Sequence, residues 1–309
     1  MLSCSTLQKG SFSPEVNKTM FSGSMIPIVT PFKDGEIDKQ GFSGLIEFHL
    51  TSGSDGIIPC GTTGESATLT HKEHEQLINI SVEAVNNRVP VIAGTGSNST
   101  DEAIKLTACA QKAGADGALL ITPYYNKPTQ EGLYQHYRAI ALETDLPLIL
   151  YNVPGRTGVN MLPETVARLA ELPAIVGIKE ASGSLRQICD IIHLCGENCR
   201  VFSGDDFVNY PLLAVGGMGI ISVTANIVPA KVAAMWDAFA SEDHSTALSL
   251  HYDLLALHNA MFIETNPIPV KTALGLMGKI TPEMRLPLTS MAQDNLGKLK
   301  KVMEDYKLL

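Results

Sequence analysis

Short apolar segments and longer segments with helical spacing alternate regularly along this chain. The helical segments, with apolar residues three to four positions apart, include residues 39–51, 71–86, 100–113 and 130–143. The apolar segments are residues 25–30, 56–59, 90–94, 117–122, 148–152, 175–179, 200–203 and 219–223. Strands that are joined by crossover helices lie parallel in one sheet. The alternation therefore predicts an α/β fold with eight parallel strands.

Eight parallel strands can form an open doubly wound sheet or a closed barrel. Nearly continuous apolar strands need cover on both faces, and a closed (β/α)8 TIM barrel covers every strand in this way. Thr70, Ser99 and Thr129 stand where N-capping residues would begin three of the helices. We therefore predict a (β/α)8 TIM barrel with a C-terminal helical extension.

The predicted organisation has three parts. Residues 1–19 are rich in Ser and Thr and lack a hydrophobic period, which predicts a flexible N-terminal extension. Residues 20–230 hold the alternating pattern of the barrel. Residues 231–309 follow a helical pattern only and are predicted to pack on the barrel.

Composition limits the partners of this chain. With 45% hydrophobic residues the chain is too apolar for global disorder, and its net charge of −9 disfavours nucleic acid and anionic lipid as partners. No apolar run approaches the ~18 residues of a membrane span, and residues 1–20 lack the apolar core of a signal peptide. We expect a cytoplasmic protein that acts on small molecules, without nucleic acid or membrane.

Cysteines and histidines give little support for a metal site. The six cysteines are thinly spread, and reduced thiols are the default interpretation. Cys195 and Cys199 near His193 lack the second ligand pair of a zinc module. His71 and His74 do not have the H-E-x-x-H spacing. We therefore expect neither a metal nor another cofactor, and a metal-dependent aldolase is disfavoured.

Polar residues follow several of the predicted strands. Active sites of these barrels lie at the carboxyl ends of the strands, so these residues should meet at one mouth. They include Thr62 and Thr63 after the second strand, Tyr124 and Tyr125 after the fourth, Tyr151 and Arg156 at and after the fifth, Lys179 at the sixth, and Gly204 to Asp206 after the seventh.

Lys179 ends an apolar strand and allows two interpretations. A lysine at a strand end usually extends its ammonium group to solvent. If the amine is instead buried, its pKa falls, and the neutral amine can attack a ketone to form a Schiff base. The iminium then acts as an electron sink for carbanion chemistry without a cofactor.

The neighbouring residues also have a structural and a catalytic interpretation. Tyr151, Tyr125 and Thr62 can pack, or their hydroxyls can relay the protons that Schiff-base chemistry moves. The Gly-bounded loop with Thr62 and Thr63 can be an ordinary turn or a carboxylate site. Arg156 can be a solvated loop residue or a bidentate carboxylate donor.

Seven motifs follow one another along the chain: GTTGES (61–66), TPYYNKP (122–128), YNVPGRTG (151–158), GIKEASG (177–183), SGDD (203–206), GGMGIISVTAN (216–226) and NPIPVK (266–271). In this order they resemble the dihydrodipicolinate synthase family, and the resemblance runs from about Met20 to Leu309. The resemblance implies a (β/α)8 barrel, usually assembled as a homotetramer from two tight dimers. It also implies condensation of pyruvate with L-aspartate 4-semialdehyde, the first committed step toward diaminopimelate and lysine.

The resemblance implies a role for each residue of the site. Lys179 matches the Schiff-base lysine, and Tyr151 matches the proton donor and acceptor. Thr62 and Tyr125 match the residues that relay protons to and from this tyrosine, and Tyr125 would act across the dimer interface. Thr63 matches the ligand of the pyruvate carboxylate, Arg156 the ligand of the semialdehyde carboxylate, and Gly204 and Ile221 line the pocket through their backbones. Related N-acetylneuraminate and 2-keto-3-deoxy sugar acid lyases share the lysine, the tyrosine and the barrel, and they remain the alternative. A barrel without activity that only binds ligands is a further alternative, which the retained Lys179 disfavours.

A second cluster matches the positions that bind L-lysine as an inhibitor in regulated members of the family. It consists of Ser66, Ala67, His71, His74, Asn98, Glu102 and Tyr124. Glu102 can bind the α-ammonium group of lysine, and Asn98 and Tyr124 can bind its carboxylate. The helix face with His71 and His74 can receive the ε-ammonium group. A ligand-free surface is the structural alternative. We predict partial feedback inhibition by lysine.

Overall fold

The computed structural model describes residues 21–309. Eight parallel strands form one sheet in these residues, and the sheet nearly closes on itself. The strands are β1 Gly23–Pro27, β2 Gly56–Ile58, β3 Ile92–Gly94, β4 Gly117–Ile121, β5 Leu148–Asn152, β6 Ile175–Glu180, β7 Arg200–Ser203 and β8 Gly219–Ile221. The N-terminal extension predicted for residues 1–19 lies outside the described residues.

The barrel closes between β2 and β3. The order of hydrogen-bonded neighbours is β2, β1, β8, β7, β6, β5, β4, β3, and a single bridge between Ile57 and Val91 joins its two ends. The predicted (β/α)8 TIM barrel is confirmed. A short antiparallel hairpin, Phe32–Lys33 with Glu36–Ile37, follows β1.

Helices follow the strands along the chain. They are α1 Lys39–Thr51, α2 His71–Val85, α3 Thr100–Ala113, α4 Gln130–Leu142, α5 Pro154–Thr157, α6 Pro163–Ala170, α7 Leu185–Cys195, α8 Asn209–Ala214, α9 Pro229–Ala240, α10 His244–Met261, α11 Ile268–Leu276 and α12 Gln293–Asp305. Thr70, Ser99 and Thr129 cap α2, α3 and α4 as predicted, and Thr70 forms a capping box with Glu73. The division between barrel and extension at residue 230 stays a prediction, and α9 spans that position.

Two apolar clusters hold the barrel together. The larger cluster packs the outer faces of the strands against the helices, with Ile26, Ile57 and Leu150 among its members. The smaller cluster fills the barrel interior, where Ile149, Tyr151 and Val153 alternate along and just beyond β5. The interior is therefore packed with side chains, and the polar residues lie at the ends of the strands.

Several strand boundaries differ from the sequence prediction. The first strand is Gly23–Pro27 and not residues 25–30, because Gly23 already pairs with Gly219 on β8. Residues 28–30 are buried but have left the strand, and they run toward the mouth.

None of the described helices is both long and apolar enough to cross a membrane.

Candidate active site

Lys179 and Tyr151 lie side by side at the mouth of the barrel. They are register partners on the neighbouring strands β6 and β5. The Lys179 Nζ lies 4.4 Å from the centroid of the Tyr151 ring. The side chain of Lys179 does not extend to solvent, since the residue is only 5% exposed. The structure therefore favours the buried-amine interpretation.

Burial changes the acid–base chemistry of Lys179. Loss of hydration lowers its pKa to about 7, because the charged ammonium form is the one that water stabilises. The carboxylate of Asp206 opposes this change and the guanidinium of Arg156 adds to it. Near neutral pH a large fraction of the Lys179 amine is therefore unprotonated and nucleophilic.

Gly204 packs directly on the Lys179 side chain. A Cβ atom at position 204 would lie 2.8 Å from the Lys179 Cε, closer than such atoms approach. The Gly204 N–H donates to the carbonyl of Glu180 at 2.8 Å, which continues the pairing of β6 and β7 beyond the strands. A side chain at 204 would therefore displace the lysine from its observed position.

Burial keeps the Tyr151 phenol protonated at neutral pH. Burial raises the pKa of its phenol, whereas Arg156 and a hydrogen bond with the Thr62 side chain lower it. The structure therefore brings Lys179, Tyr151 and Thr62 together. An amine, a phenol and a hydroxyl in contact can move protons at the carbon that the amine attacks.

Thr63 and Arg156 share a contact residue to which the sequence analysis assigned no role. The Thr63 hydroxyl is buried and accepts a hydrogen bond from Asn266 Nδ2 at 3.0 Å. The Arg156 Nη2 donates to the carbonyl oxygen of the same Asn266 at 2.9 Å. Ile221 ends β8 and is buried among the residues of the barrel interior.

Tyr125 does not join this group within the chain. Tyr125 is 88% exposed, although it follows β4 at the mouth of the barrel as expected. The Asn98 Oδ1 accepts from the backbone N–H groups of both Tyr124 and Tyr125, at 2.8 and 3.0 Å. The interpretation that Tyr125 serves the site of another subunit stays a prediction.

One cleft of about 610 Å³ is lined by some of the catalytic candidates and by the second cluster. Thr62, Tyr151 and Arg156 line one part of it. All seven residues of the second cluster also line it: Ser66, Ala67, His71, His74, Asn98, Glu102 and Tyr124. The predicted cluster therefore faces an open volume, and lysine binding at this cluster stays a prediction.

Charges in the second cluster are arranged around Glu102. Its carboxylate lies 2.8 Å from the His71 Nε2 and accepts from the Ser97 hydroxyl. Hydrogen bonds from Ser97 and His71 lower the pKa of Glu102, so the group is an anion at neutral pH. His74 is buried, and burial lowers its pKa. The cluster thus offers one anion to a cationic ligand.

Two buried polar networks were missed by the sequence analysis. Asp206 accepts from the Thr224 hydroxyl at 2.9 Å, and that hydroxyl also meets His258 Nδ1 at 2.8 Å. Lys271 forms an ion pair with Glu65 at 2.5 Å, and both side chains are fully buried. Glu65, Asp206 and Lys271 lie within the quoted motifs, but only the fold shows what each contacts.

No cation site is evident in the part of the chain that the structure describes. Within residues 21–309, no three His, Cys, Asp or Glu side chains are placed to hold a metal ion. Cys195 and Cys199 form no disulfide in these residues.

A buried amine at the mouth of a (β/α)8 barrel, next to a phenol, is typical of lyases of the lysine-dependent aldolase type. A family model described as the Dihydrodipicolinate synthetase family matches residues 20–306. The chain belongs to this family.

Similar proteins agree with the family. The chain is 61% identical to the 4-hydroxy-tetrahydrodipicolinate synthase of Thermodesulfovibrio yellowstonii, over 94% of this chain and 100% of the relative. A chloride-inhibited dihydrodipicolinate synthase from Acinetobacter baumannii in complex with pyruvate is 48% identical, with a TM-score of 0.92 over 93% of this chain and 99% of that one. A dihydrodipicolinate synthase from Cyanidioschyzon merolae with lysine bound is 42% identical, with a TM-score of 0.91 over 94% of this chain and 99% of that one.

Proposed function

We propose that this chain is a lyase that condenses pyruvate with L-aspartate 4-semialdehyde through a Schiff base on Lys179. The observation that carries the proposal is the buried Lys179 amine, whose pKa is about 7, in contact with Tyr151 at the barrel mouth. The product would enter the diaminopimelate route to lysine. High-identity relatives are synthases of this kind, which favours this reaction over sugar acid cleavage.

The residues at the mouth account for the steps of such a reaction. The Lys179 amine adds to the keto carbon of pyruvate, water leaves the carbinolamine, and an iminium forms. Loss of a methyl proton gives an enamine, whose carbon attacks the aldehyde carbon of the second substrate. In this proposal Tyr151 and Thr62, which are joined by a hydrogen bond, exchange the protons of these steps.

Each substrate carboxylate has its own candidate ligand. Thr63 is buried beside the catalytic residues and binds the carboxylate of pyruvate in this proposal. Arg156 lies at the edge of the cleft, where it can receive the carboxylate of the semialdehyde after the Schiff base has formed. In this proposal the backbones of Gly204, which packs on Lys179, and Ile221 line the pocket.

We further propose a homotetramer built from two tight dimers. The exposed Tyr125 ring supports this assembly, because a relay role for Tyr125 needs a second subunit that buries the ring. The buried cysteines Cys60, Cys195 and Cys199 form no disulfide among the described residues, which fits a reducing compartment, and we place the protein in the cytoplasm.

A substrate comparison tests the proposed reaction. Pyruvate with L-aspartate 4-semialdehyde should give turnover in an assay coupled to reduction of the product. Pyruvate with N-acetylmannosamine should give none, and EDTA should not change the rate. Turnover only with the sugar would show that the chain is one of the related lyases, and loss of activity in EDTA would point to a metal-dependent aldolase.

Lysine should inhibit the enzyme through the second cluster. Glu102 is the anion there, so Glu102→Ala removes the partner of a cationic ligand. Because Asn98 contacts the backbones of Tyr124 and Tyr125, a bound ligand can alter the relay residue without competing with pyruvate. A coupling of about 1–3 kcal/mol corresponds to partial inhibition.

The prediction is measured as the rate against L-lysine concentration at saturating pyruvate. Millimolar lysine should slow the wild type and leave Glu102→Ala nearly unaffected. Asp101→Ala is the matched control, because Asp101 lies on the same helix and pairs with Lys105 at 2.6 Å. That variant should be inhibited as the wild type is. A wild type whose rate does not respond to lysine contradicts the assignment.

A further inference from the structure

Asn266 contacts both residues that are proposed to bind substrate carboxylates. It lies between α10 and α11, about 200 residues after Thr63 in the chain, and it is buried. Its side-chain Nδ2 donates to the Thr63 Oγ1 at 3.0 Å. Its main-chain carbonyl accepts from the Arg156 Nη2 at 2.9 Å. One residue therefore joins the proposed pyruvate ligand to the proposed semialdehyde ligand.

The direction of the bond to Thr63 has a chemical consequence. A threonine hydroxyl has one hydrogen to donate and can accept through its lone pairs. Because Asn266 Nδ2 donates to the Thr63 oxygen, the Thr63 hydrogen is left for another acceptor. A carboxylate is an acceptor only, and a hydrogen bond to it is charge-assisted and strong. Asn266 thus sets the Thr63 hydroxyl to donate to an anionic substrate.

A second anchor holds the same loop at its other end. Glu65 follows Thr63 and Gly64, and its backbone has φ of 54°, which is unfavourable for a residue with a side chain. The Glu65 carboxylate forms the buried ion pair with Lys271 and also accepts from the Arg285 N–H at 3.2 Å. The loop that carries Thr62 and Thr63 is therefore fixed by the segment from Asn266 to Lys271.

We infer that Asn266 is a positioning residue, which orients the Thr63 hydroxyl toward the pyruvate carboxylate and links it to Arg156. The inference rests on the proposed function and adds to it a residue of the C-terminal segment. It assigns that segment a role in substrate binding in addition to its packing on the barrel.

Substitution at 266 tests the inference through the split between KM and kcat. Asn266→Ala should raise the KM for pyruvate about tenfold, because a hydrogen bond to a charged group loses its orientation, and should change kcat by less than about threefold. Asn295→Ala is the matched control: its side chain donates to Glu264 at 2.8 Å in the same C-terminal region. That variant should leave the KM for pyruvate unchanged.

A double-mutant cycle separates positioning from a general structural effect. If Asn266 acts through Thr63, then Asn266→Ala added to Thr63→Val should raise the KM for pyruvate no further than Thr63→Val alone. If the fold-increases in KM of the two single variants multiply in the double variant, the inference is overturned. A fall in kcat with an unchanged KM would overturn it as well.

A same-size variant covers the case in which Asn266→Ala fails to fold. In Asn266→Asp the carboxylate accepts the Thr63 hydrogen instead of donating to the oxygen, so the KM for pyruvate should rise at least as much as expected for alanine. A wild-type KM in Asn266→Asp would overturn the inference.

Borohydride trapping keeps this inference distinguishable from the proposed function. The pyruvate concentration that half-saturates trapping on Lys179 can be measured without the semialdehyde. If the wild type traps pyruvate but turns over no aldehyde, the proposed condensation fails while the role of Asn266 is still measured. An unchanged half-saturating concentration in Asn266→Ala overturns the inference alone.

Discussion

Replacement of Lys179 by methionine should abolish condensation and leave the barrel folded. Methionine keeps an apolar side chain of similar length but has no amine, so no iminium can form. We expect kcat to fall by roughly 10³-fold or more. Wild-type protein treated with pyruvate and borohydride should gain one pyruvate-derived group, and mass spectrometry of peptides should place it on Lys179.

Lys271 provides the matched control for this labelling. It is also buried, but its ammonium group is paired with Glu65 at 2.5 Å. Burial lowers the pKa of Lys271, whereas the neighbouring Glu65 opposes that change and favours the charged form. We therefore expect no adduct on Lys271. An adduct on Lys271, or trapping in Lys179→Met, would disprove the assignment of the nucleophile.

The pH dependence follows from the same burial. Because the pKa of Lys179 is about 7, the neutral amine is depleted as the pH falls below 7, and kcat/KM for pyruvate should fall with it. Asp206 raises the pKa of Lys179, so in Asp206→Asn the fall of kcat/KM on the acid side of the pH profile should occur at lower pH. A profile that does not move would show that another group controls the acid limb.

Lys179→Met should lose activity but gain stability. The pKa of Lys179 is lower in the folded chain than its usual 10.5, so between about pH 7 and pH 10.5 the unfolded chain binds more protons. Its contribution to the free energy of unfolding therefore rises with pH across this window and is least favourable below about pH 7. Lys179→Met removes that cost, and urea denaturation at pH 6 should show a variant that is more stable than the wild type. An inactive but stabilised variant excludes misfolding as the cause of inactivity.

The sequence predicts most of the fold because the local signals agree with the tertiary structure. The predicted helices 39–51 and 100–113 have the observed bounds, since apolar spacing marks both and the predicted cap Ser99 marks the start of the second. Strand bounds are less predictable. Apolar residues 28–30 look like a continuation of β1, but a strand ends where its neighbours end, and that depends on β2 and β8.

The site is predictable in part for the same reason. Lys179 and Tyr151 meet because strand ends of a barrel converge, which the alternation already implies. The exposure of Tyr125 cannot be predicted from the spacing of apolar residues, because it depends on the turn that Asn98 holds. The contact between Asn266 and Thr63 spans 203 positions, and spacing cannot reveal it.

Removal of the Tyr151 hydroxyl should have the second largest effect on turnover. In Tyr151→Phe the ring that packs on Lys179 is kept, so the change removes the proton-transfer group alone. Burial raises the pKa of the Tyr151 phenol, which keeps its proton available for transfer at neutral pH. We expect kcat to fall by about 10²-fold or more. Thr62→Val removes the hydrogen-bond partner of that phenol and should lower kcat as well, by a smaller factor.

Tyr137→Phe is the matched control for this prediction. Tyr137 is also fully buried, and its hydroxyl donates to the Leu120 carbonyl at 3.1 Å behind the barrel wall, among the residues of the outer cluster. Its replacement leaves that carbonyl without this partner, so the free energy of unfolding should fall by about 1 kcal/mol while kcat stays unchanged. The decisive comparison is the kcat of the two variants at saturating substrates, with urea denaturation of both. If Tyr151→Phe and Tyr137→Phe lose stability alike and both retain kcat, the Tyr151 hydroxyl only packs, and the proton must pass through another group at the mouth.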